Sequence, residues 1–221
     1  MSEQSAAEEL RAWRDRAVAV GCAALVDAMG RTHQHRAHLP ALRSPAPDRV
    51  LFGPAITIRY LPTRDDLPQS ELGFGALFAE AVRDAPPGAV LVLGSGGYPE
   101  VSHAGGVKLS RVAAHGLSGI LADGLLRDFG ELASYGFATW CRGEAVRWGG
   151  DSVMPYAANV ALEVCGVTVV PGDHVYADSA GGVVIPAGSL EAVLDEAERI
   201  VADDERWRQQ LLAGEDVGGE S

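Results

Sequence analysis

A short apolar run that empties into glycines constrains this chain more than any other feature. Residues 89–94, AVLVLG, read as a strand without a polar face, of the kind that sits inside a sheet covered on both sides. The run opens into GSGGYPEVSHAGG and is followed by an apolar-periodic helix over Val107 to His115. A second strand, GILADG at 119–124, closes the unit. Strand, glycine-rich turn, helix and strand make a βαβ-like unit, so an α/β fold is expected.

The rest of the chain reads consistently with that core. Leu10, Trp13, Ala17, Val20, Ala24 and Ala28 recur at three- and four-residue spacing and predict one amphipathic helix, or two, over 5–29, with Gly30 as its stop. Residues 31–50 are rich in His, Arg and Pro and read as an irregular connection. His33, His35 and His38 lie close together there, but without a nearby carboxylate or cysteine they do not make a ligand set. GPAITIRYL, from Gly53, is a β-branched strand, and a helix is expected over Glu71 to Val82, stopped by Pro86, Pro87 and Gly88. Another helix follows over Phe129 to Tyr135, then the strand FATWC. From Val160 to Pro186 short strands alternate with turns at Gly166, Pro171-Gly172 and Gly181-Gly182, a hairpin pattern. A charged amphipathic helix over 189–213 precedes an acidic, glycine-rich tail over 213–221 that is expected to fray. With 221 residues, no internal repeat and no linker, the chain is expected to be one domain.

Charge and cysteine content exclude several classes of function. Thirty acidic against 18 basic residues give a formal charge of −12, which offers phosphate backbones no general attraction, so no direct nucleic-acid partner is expected. Cys22, Cys141 and Cys165 are too few and too odd in number for a disulfide framework and suit a reducing cytoplasm. The first residues are charged and helical in pattern, without an apolar leader core, and no later stretch is apolar enough to span a membrane. A cytoplasmic protein with no membrane partner is expected. Of the 18 basic residues 17 are arginine, and Lys108, in the glycine-rich segment, is the only lysine. Coding bias accounts for the arginines. A functional role for the remaining lysine stands open.

Two segments carry candidate chemistry. The loop 94–106 holds glycines at 94, 96, 97, 105 and 106 just before a helix N-terminus, where N–H groups and the helix dipole suit a carboxylate or phosphate. It matches neither GxxxxGK[ST] nor GxGxxG with a trailing acid, so nucleotide binding is not supported. The second is Asp123-Gly124-Leu125-Leu126-Arg127-Asp128, at the C-terminal end of a strand, where open α/β sheets place their ligands. Arg127 offers a planar fork to a carboxylate, and Asp128 a hard oxygen to Mg²⁺ or Mn²⁺. Taken alone, such an Arg-Asp pair is also a common helix-start salt bridge.

Together the segments GPAITIRY, PGAVLVLGSGG, AGGVKLSRVAAHGLSGILADGLLRD, GFATWCRG and VTVVPGDHVYADSAGGVVIP resemble the RraA-like family over roughly residues 16–200, most specifically through DGLLRD, which is similar to the family's DGxxRD. That family includes 4-hydroxy-4-methyl-2-oxoglutarate aldolases and regulators of ribonuclease activity. The resemblance implies an α/β/β/α swivelling fold of the phosphohistidine-domain type, with flanking N- and C-terminal helices, assembled as homotrimers or dimers of trimers with sites between subunits. It also implies a divalent metal, Mg²⁺ or Mn²⁺, on Asp128, with Arg127 binding the keto acid and stabilising the enolate. The carboxylate of a small 2-oxo acid would rest on Gly105, Gly106 and the N–H groups of Val107 and Lys108. A Lewis acid and a guanidinium lower the charge that develops when a bond next to a carbonyl breaks, so one site serves both retro-aldol cleavage and decarboxylation.

One position departs from that pattern. The aldolase members carry an acidic residue where this chain has Gly106, and Lys108 brings a cation nearby. His103 and Glu100, on the same loop, are candidate acids or bases in its place. Three functions follow. The favoured one is a metal-dependent lyase acting on a small 2-oxo acid, with Arg127, Asp128, Lys108 and His103 as its catalytic set. The alternatives are a non-catalytic regulator that docks on a ribonuclease, for which the acidic charge suits a basic partner, and a divergent enzyme of specialised metabolism on the same scaffold. Trp140, Trp148 and Tyr156 are expected at an edge or subunit interface, Asp173 and Asp178 in turns, and Cys141 as a small buried residue.

Overall fold

The computed structural model describes residues 3–40, 42–68 and 71–214. In chain order the elements are α1 (Glu3–Thr32), β1 (His38–Leu39), β2 (Leu51–Pro62), α2 (Phe74–Val82), β3 (Val90–Gly94), β4 (Ser102–Ala104), α3 (Gly106–Ala114), β5 (Gly119–Ala122), β6 (Leu125–Leu126) and α4 (Phe129–Ser134). They continue with β7 (Ala138–Trp140), β8 (Gly143–Glu144), β9 (Val153–Ala158), β10 (Leu162–Val164), β11 (Val167–Val169), β12 (His174–Asp178), β13 (Gly181–Ile185) and α5 (Leu190–Leu212). The acidic tail from residue 215 onward, expected to fray, lies outside the described residues.

β2 organises the main sheet, whose order is β1-β13-β12-β2-β3-β5-β7, with β9 also on β2. Its first residues pair antiparallel with β12, its middle pairs parallel with β3, and its second half pairs antiparallel with β9 across a register shift between Arg59 and Tyr60. The parallel strands β2, β3 and β5 are buried on both faces, which is why AVLVLG carries no alternation. On one face Ile56, Ile58, Leu91, Leu93 and Ile120 pack under Leu77 and Phe78 of α2 and Leu109 and Val112 of α3. On the other, Ala55, Val90, Val92 and Leu121 meet Val175, Ala177 and Val184 and the β10–β11 hairpin. The outer face of β12 and β13, through Tyr176, Val183 and Ile185, then packs on Leu25 of α1 and Val193 and Leu194 of α5. These layers, helices over sheet over sheet over helices, are the α/β/β/α order with flanking terminal helices.

The boundaries moved where local chemistry differs from periodicity. α1 runs past Gly30 to Thr32, whose hydroxyl donates to Ala28 O at 2.8 Å, and the helix breaks instead at Gly21 (φ 78°, ψ 170°). There Cys22 N donates to Asp178 Oδ2 at 3.1 Å, which explains the kink as a tie to the strand beneath. α2 starts at Phe74, later than expected, after Gly73 caps it in extended conformation. Asp173 and Asp178 do accept turn N–H groups, from Val170 and Ala180 at 2.8 Å each. Trp140 lies on the edge strand β7 but is buried, its indole N–H donating to Arg49 O at 3.1 Å, whereas Trp148 and Tyr156 are exposed.

Candidate active site

Three very short strands build the site. β4, β6 and β8 form a small parallel sheet beside the main one, in which Ala104 pairs with Leu126 and Leu126 with Glu144. Arg127 N also donates to Ala104 O at 3.0 Å. This pairing lays the end of the glycine loop against Arg127 and Asp128, so two motifs separated by a whole helix and strand meet.

Asp128 is the hinge of that meeting. It caps α4 in the left-handed region (φ 65°, ψ 45°), a conformation that costs about 1 kcal/mol for a residue with a side chain and that Asp tolerates better than most. Its side chain does not cap its own helix. Oδ2 accepts the N–H of Gly106 at 3.0 Å instead, across to the first turn of α3. The first N–H of α4, on Phe129, is satisfied by Glu144 Oε1 at 2.9 Å. Asp128 is exposed and Arg127 half-buried, and the two form no salt bridge with each other or with any other group among the described residues.

At the start of α3, Gly105 caps in extended conformation and has no side chain of its own to accept an N–H, so Asp128 takes that of Gly106 alone. Helix geometry leaves the N–H groups of Val107 and Lys108 without an intrahelical acceptor, so they face outward with the positive end of the helix dipole. A cavity of about 220 Å³ opens there, lined by His103, Gly105, Val107, Lys108, Arg127, Asp128 and Trp148. Of the residues singled out for binding or chemistry, Gly106 and Glu100 are absent from its wall and the others lie on it. An adjoining lobe of about 170 Å³ shares Ser102, His103, Lys108 and Trp148 and is otherwise walled by apolar groups such as Phe74, Val153 and Met154.

Two of the candidate groups have distinctive surroundings. Lys108 is half-buried, its Nζ 5.6 Å from the centroid of the Phe74 ring, with no carboxylate partner among the described residues. Burial, and then Arg111, lower its affinity for a proton. His103 is 2% exposed. Its Nε2 sits 3.0 Å from Ser95 O, which only accepts, so Nε2 carries the proton and Nδ1 is left buried without a partner. Burial lowers its pKa, which keeps the ring neutral. A Cβ on Gly124 would overlap this ring. The glycine of DGLLRD is therefore what admits His103. Glu100, the other candidate acid on this loop, is exposed and is absent from the cavity wall.

Asp123, which opens the same motif, is a structural acid. It is buried, and its carboxylate accepts from Ser95 Oγ at 2.6 Å, Cys165 N at 2.8 Å, and Arg142 Nε and Nη2 at 3.0 and 2.7 Å. Those bonds fix the end of β5, from which the chain turns into β6 and Arg127. Cys141 is buried, and burial first pushes its thiol up to about 12.

Among the described residues no three His, Cys, Asp or Glu side chains cluster as a cage. Asp128 alone presents a hard carboxylate to the cavity, with one oxygen held by Gly106 N–H. That fits Mg²⁺, or Mn²⁺, of the kind that keeps several waters and takes one or two protein carboxylates plus substrate oxygens.

Comparison with known proteins gives a consistent result. A model of the RraA-like family, described as Aldolase/RraA, matches residues 22–185. A Halalkalibacterium halodurans protein provisionally named a 4-hydroxy-4-methyl-2-oxoglutarate aldolase is 32% identical over 126 residues, 57% of this chain and 60% of that protein. This chain therefore spans about three-fifths of that relative's length. A protein of the same provisional name from Albidiferax ferrireducens is 30% identical over 161 residues, 68% of this chain and 84% of its own. Among solved structures, Streptomyces coelicolor RraAS2, described as an unusual member of the RNase ES inhibitor RraA protein family, has a TM-score of 0.77 at 26% identity, covering 91% of this chain and 98% of that one.

Proposed function

Because this chain belongs to the RraA-like family, we propose that it is a divalent-metal-dependent lyase of the aldolase or decarboxylase type, acting on a small 2-oxo acid. The observation that carries this reading is the convergence, on one cavity, of the Arg127 guanidinium, which has no ion-pair partner among the described residues, the Asp128 carboxylate, and the start of α3, where the N–H groups of Val107 and Lys108 have no intrahelical acceptor.

Each group has a part in such a reaction. The N–H groups of Val107 and Lys108 would hold the substrate carboxylate, where the helix dipole favours negative charge. Arg127 would place its fork on the 2-oxo oxygen and stabilise the charge that develops there as the bond to the next carbon breaks. Asp128 would hold Mg²⁺ or Mn²⁺, which when bound supplies Lewis acidity to the same oxygen. Lys108, half-buried between the two lobes, would sense whatever the substrate carries beyond its reacting end. His103 is close enough to line the cavity, but its neutral ring points a lone pair at Gly124, so it shapes the wall.

The assembly we propose is a homotrimer or a dimer of trimers in the cytoplasm, with Val107 (79% exposed) and Trp148 (60% exposed) at the rim as apolar groups that a neighbouring subunit would cover. No described helix is long and apolar enough to cross a membrane.

A second reading, a protein-binding regulator of a ribonuclease, draws support from the description of RraAS2 and from the net charge of −12. It places no demand on Arg127 or Asp128. Calorimetric titration separates the two. Metal-stripped protein is titrated with oxalate, an enolate mimic, with and without Mn²⁺, beside Asp128→Ala. Oxalate binding that needs Mn²⁺ and disappears in the variant supports the lyase. Absence of binding under every condition sinks it, and a pull-down for a ribonuclease becomes the next experiment.

A further inference from the structure

The parallel strands β2, β3, β5 and β7 lie side by side and end at one edge of the main sheet. Beyond those ends opens a cavity of about 660 Å³, three times the size of the candidate active-site cavity and without a lining residue in common with it. All four strand ends reach it, through Arg59 in β2, Gly94 in β3, Asp123 after β5 and Arg142 after β7, and the β10–β11 hairpin adds Glu163 and Thr168. The crevice outside the carboxyl ends of parallel strands is where open α/β sheets bind small molecules, and the volume falls within the roughly 300–1,000 Å³ of such sites. Ser95 is the partition between the two cavities: it lines this one, while its carbonyl accepts His103 Nε2–H at 3.0 Å on the other side.

Four charged side chains line the cavity, and they divide into two kinds. Asp123 and Arg142 compensate each other through bonds of 2.7 and 3.0 Å. Arg59 and Glu163 are both exposed, have no hydrogen bond or ion pair with any described residue, and do not ion-pair with each other. Against the cost of burial, Asp123 most and Glu163 as well hold the proton on Arg142, which puts the Glu163 carboxylate on the cavity side of the hairpin. Gly94, Gly96 and Gly97 add only backbone to the wall, so no side chain from that loop fills the space. An unpaired cation and an unpaired anion, beside a pair already neutralised, leave the cavity formally neutral. A dianion or a diamine meets one wrong charge there. A ligand that carries both signs meets none.

We propose that this cavity is a second small-molecule site and that it takes an amino acid as its zwitterion. The carboxylate lies on the planar fork of Arg59 and the ammonium on Glu163. Thr168, the register partner of Glu163 across the hairpin, stands on the same face and offers its hydroxyl beside that carboxylate. The proposal is independent of the lyase reading, because none of these residues serves in it.

The test is binding to the full-length protein, screened by melting temperature against the twenty standard amino acids and 4-aminobutyrate and quantified by calorimetry. At least one of them should bind, whereas succinate and n-butylamine, which carry one sign of charge each, should not. Arg59→Gln and Glu163→Gln should each weaken binding about 10-fold or more, the loss expected for a charged hydrogen-bond partner, with unfolding midpoints unchanged. Arg127→Ala should bind as the wild type does. Absence of binding by every amino acid overturns the proposal, as does succinate binding as tightly as the best of them. Binding that is lost in Arg127→Ala but kept in Arg59→Gln and Glu163→Gln places the ligand in the active-site cavity and overturns it too, leaving the lyase reading untouched.

Discussion

The carboxylate of Asp128 and the N–H of Gly106 are 3.0 Å apart, and that one bond joins the first turn of α4 to the first turn of α3. Each helix start is incomplete alone. Together they present an acid, a guanidinium and two open N–H groups to one cavity, which makes the geometry of the site sensitive to small changes at either helix start.

Arg127 is expected to act through its shape as well as its charge. Arg127→Lys keeps the charge but loses the planar fork, so kcat/KM on any accepted 2-oxo acid should fall by about 100-fold, close to the loss from Arg127→Ala. The oligomer should be unchanged on a sizing column. Wild-type kcat/KM in Arg127→Lys would show that a point charge suffices.

Gly124 is expected to matter for stability through His103. Gly124→Ala puts a methyl into the imidazole and should destabilise the fold by about 1–3 kcal/mol, read from denaturant midpoints. His103→Ala in the same chain should remove much of that penalty, because the two positions share one space. Independent, additive costs would show that the ring does not fill it.

Stability should fall on acidification, starting where ordinary histidines titrate. Burial holds both His103 and His174 below the ordinary histidine pKa of about 6.5. Between the lowered native value and 6.5 the unfolded chain binds more protons than the folded one, so stability is present above 6.5 and declines as pH drops through that window. His174 stacks on Phe52, and His174→Phe should flatten the decline below about pH 6.5 in urea titrations. An unchanged slope would place the acid lability elsewhere.

Trp148 borders both lobes and is largely uncovered in the single chain. Trp148→Ala should raise KM for 2-oxo acids with long or branched tails by several-fold, roughly the 0.5–1.5 kcal/mol of a lost aromatic contact, while leaving oxaloacetate little affected. Equal effects on both substrates would mean that Trp148 supports the assembly of the site rather than its reach.

Much of the architecture is legible in the residues. AVLVLG, the glycine loop and GILADG locate the βαβ unit because a fully buried strand leaves an apolar run and tight backbone approach demands glycine. Arg127, Asp128, Lys108 and His103 were all found on the cavity wall. What stayed hidden has a physical reason. β4, β6 and β8 are two or three residues long, too short to carry a period, yet they bring the loop and the DGLLRD motif together.

The central strand also sets the order of events during synthesis. β2 leaves the ribosome early, but Pro54 meets its partner His174 only 120 residues later. Until the last third of the chain emerges, β2 carries a bare hydrogen-bonding edge, and closure of that edge over so long a span is slow by nature. Nascent chains should therefore depend on shielding by chaperones up to the moment that β12 is released, and truncations before residue 178 should aggregate, however intact their glycine loop and DGLLRD motif.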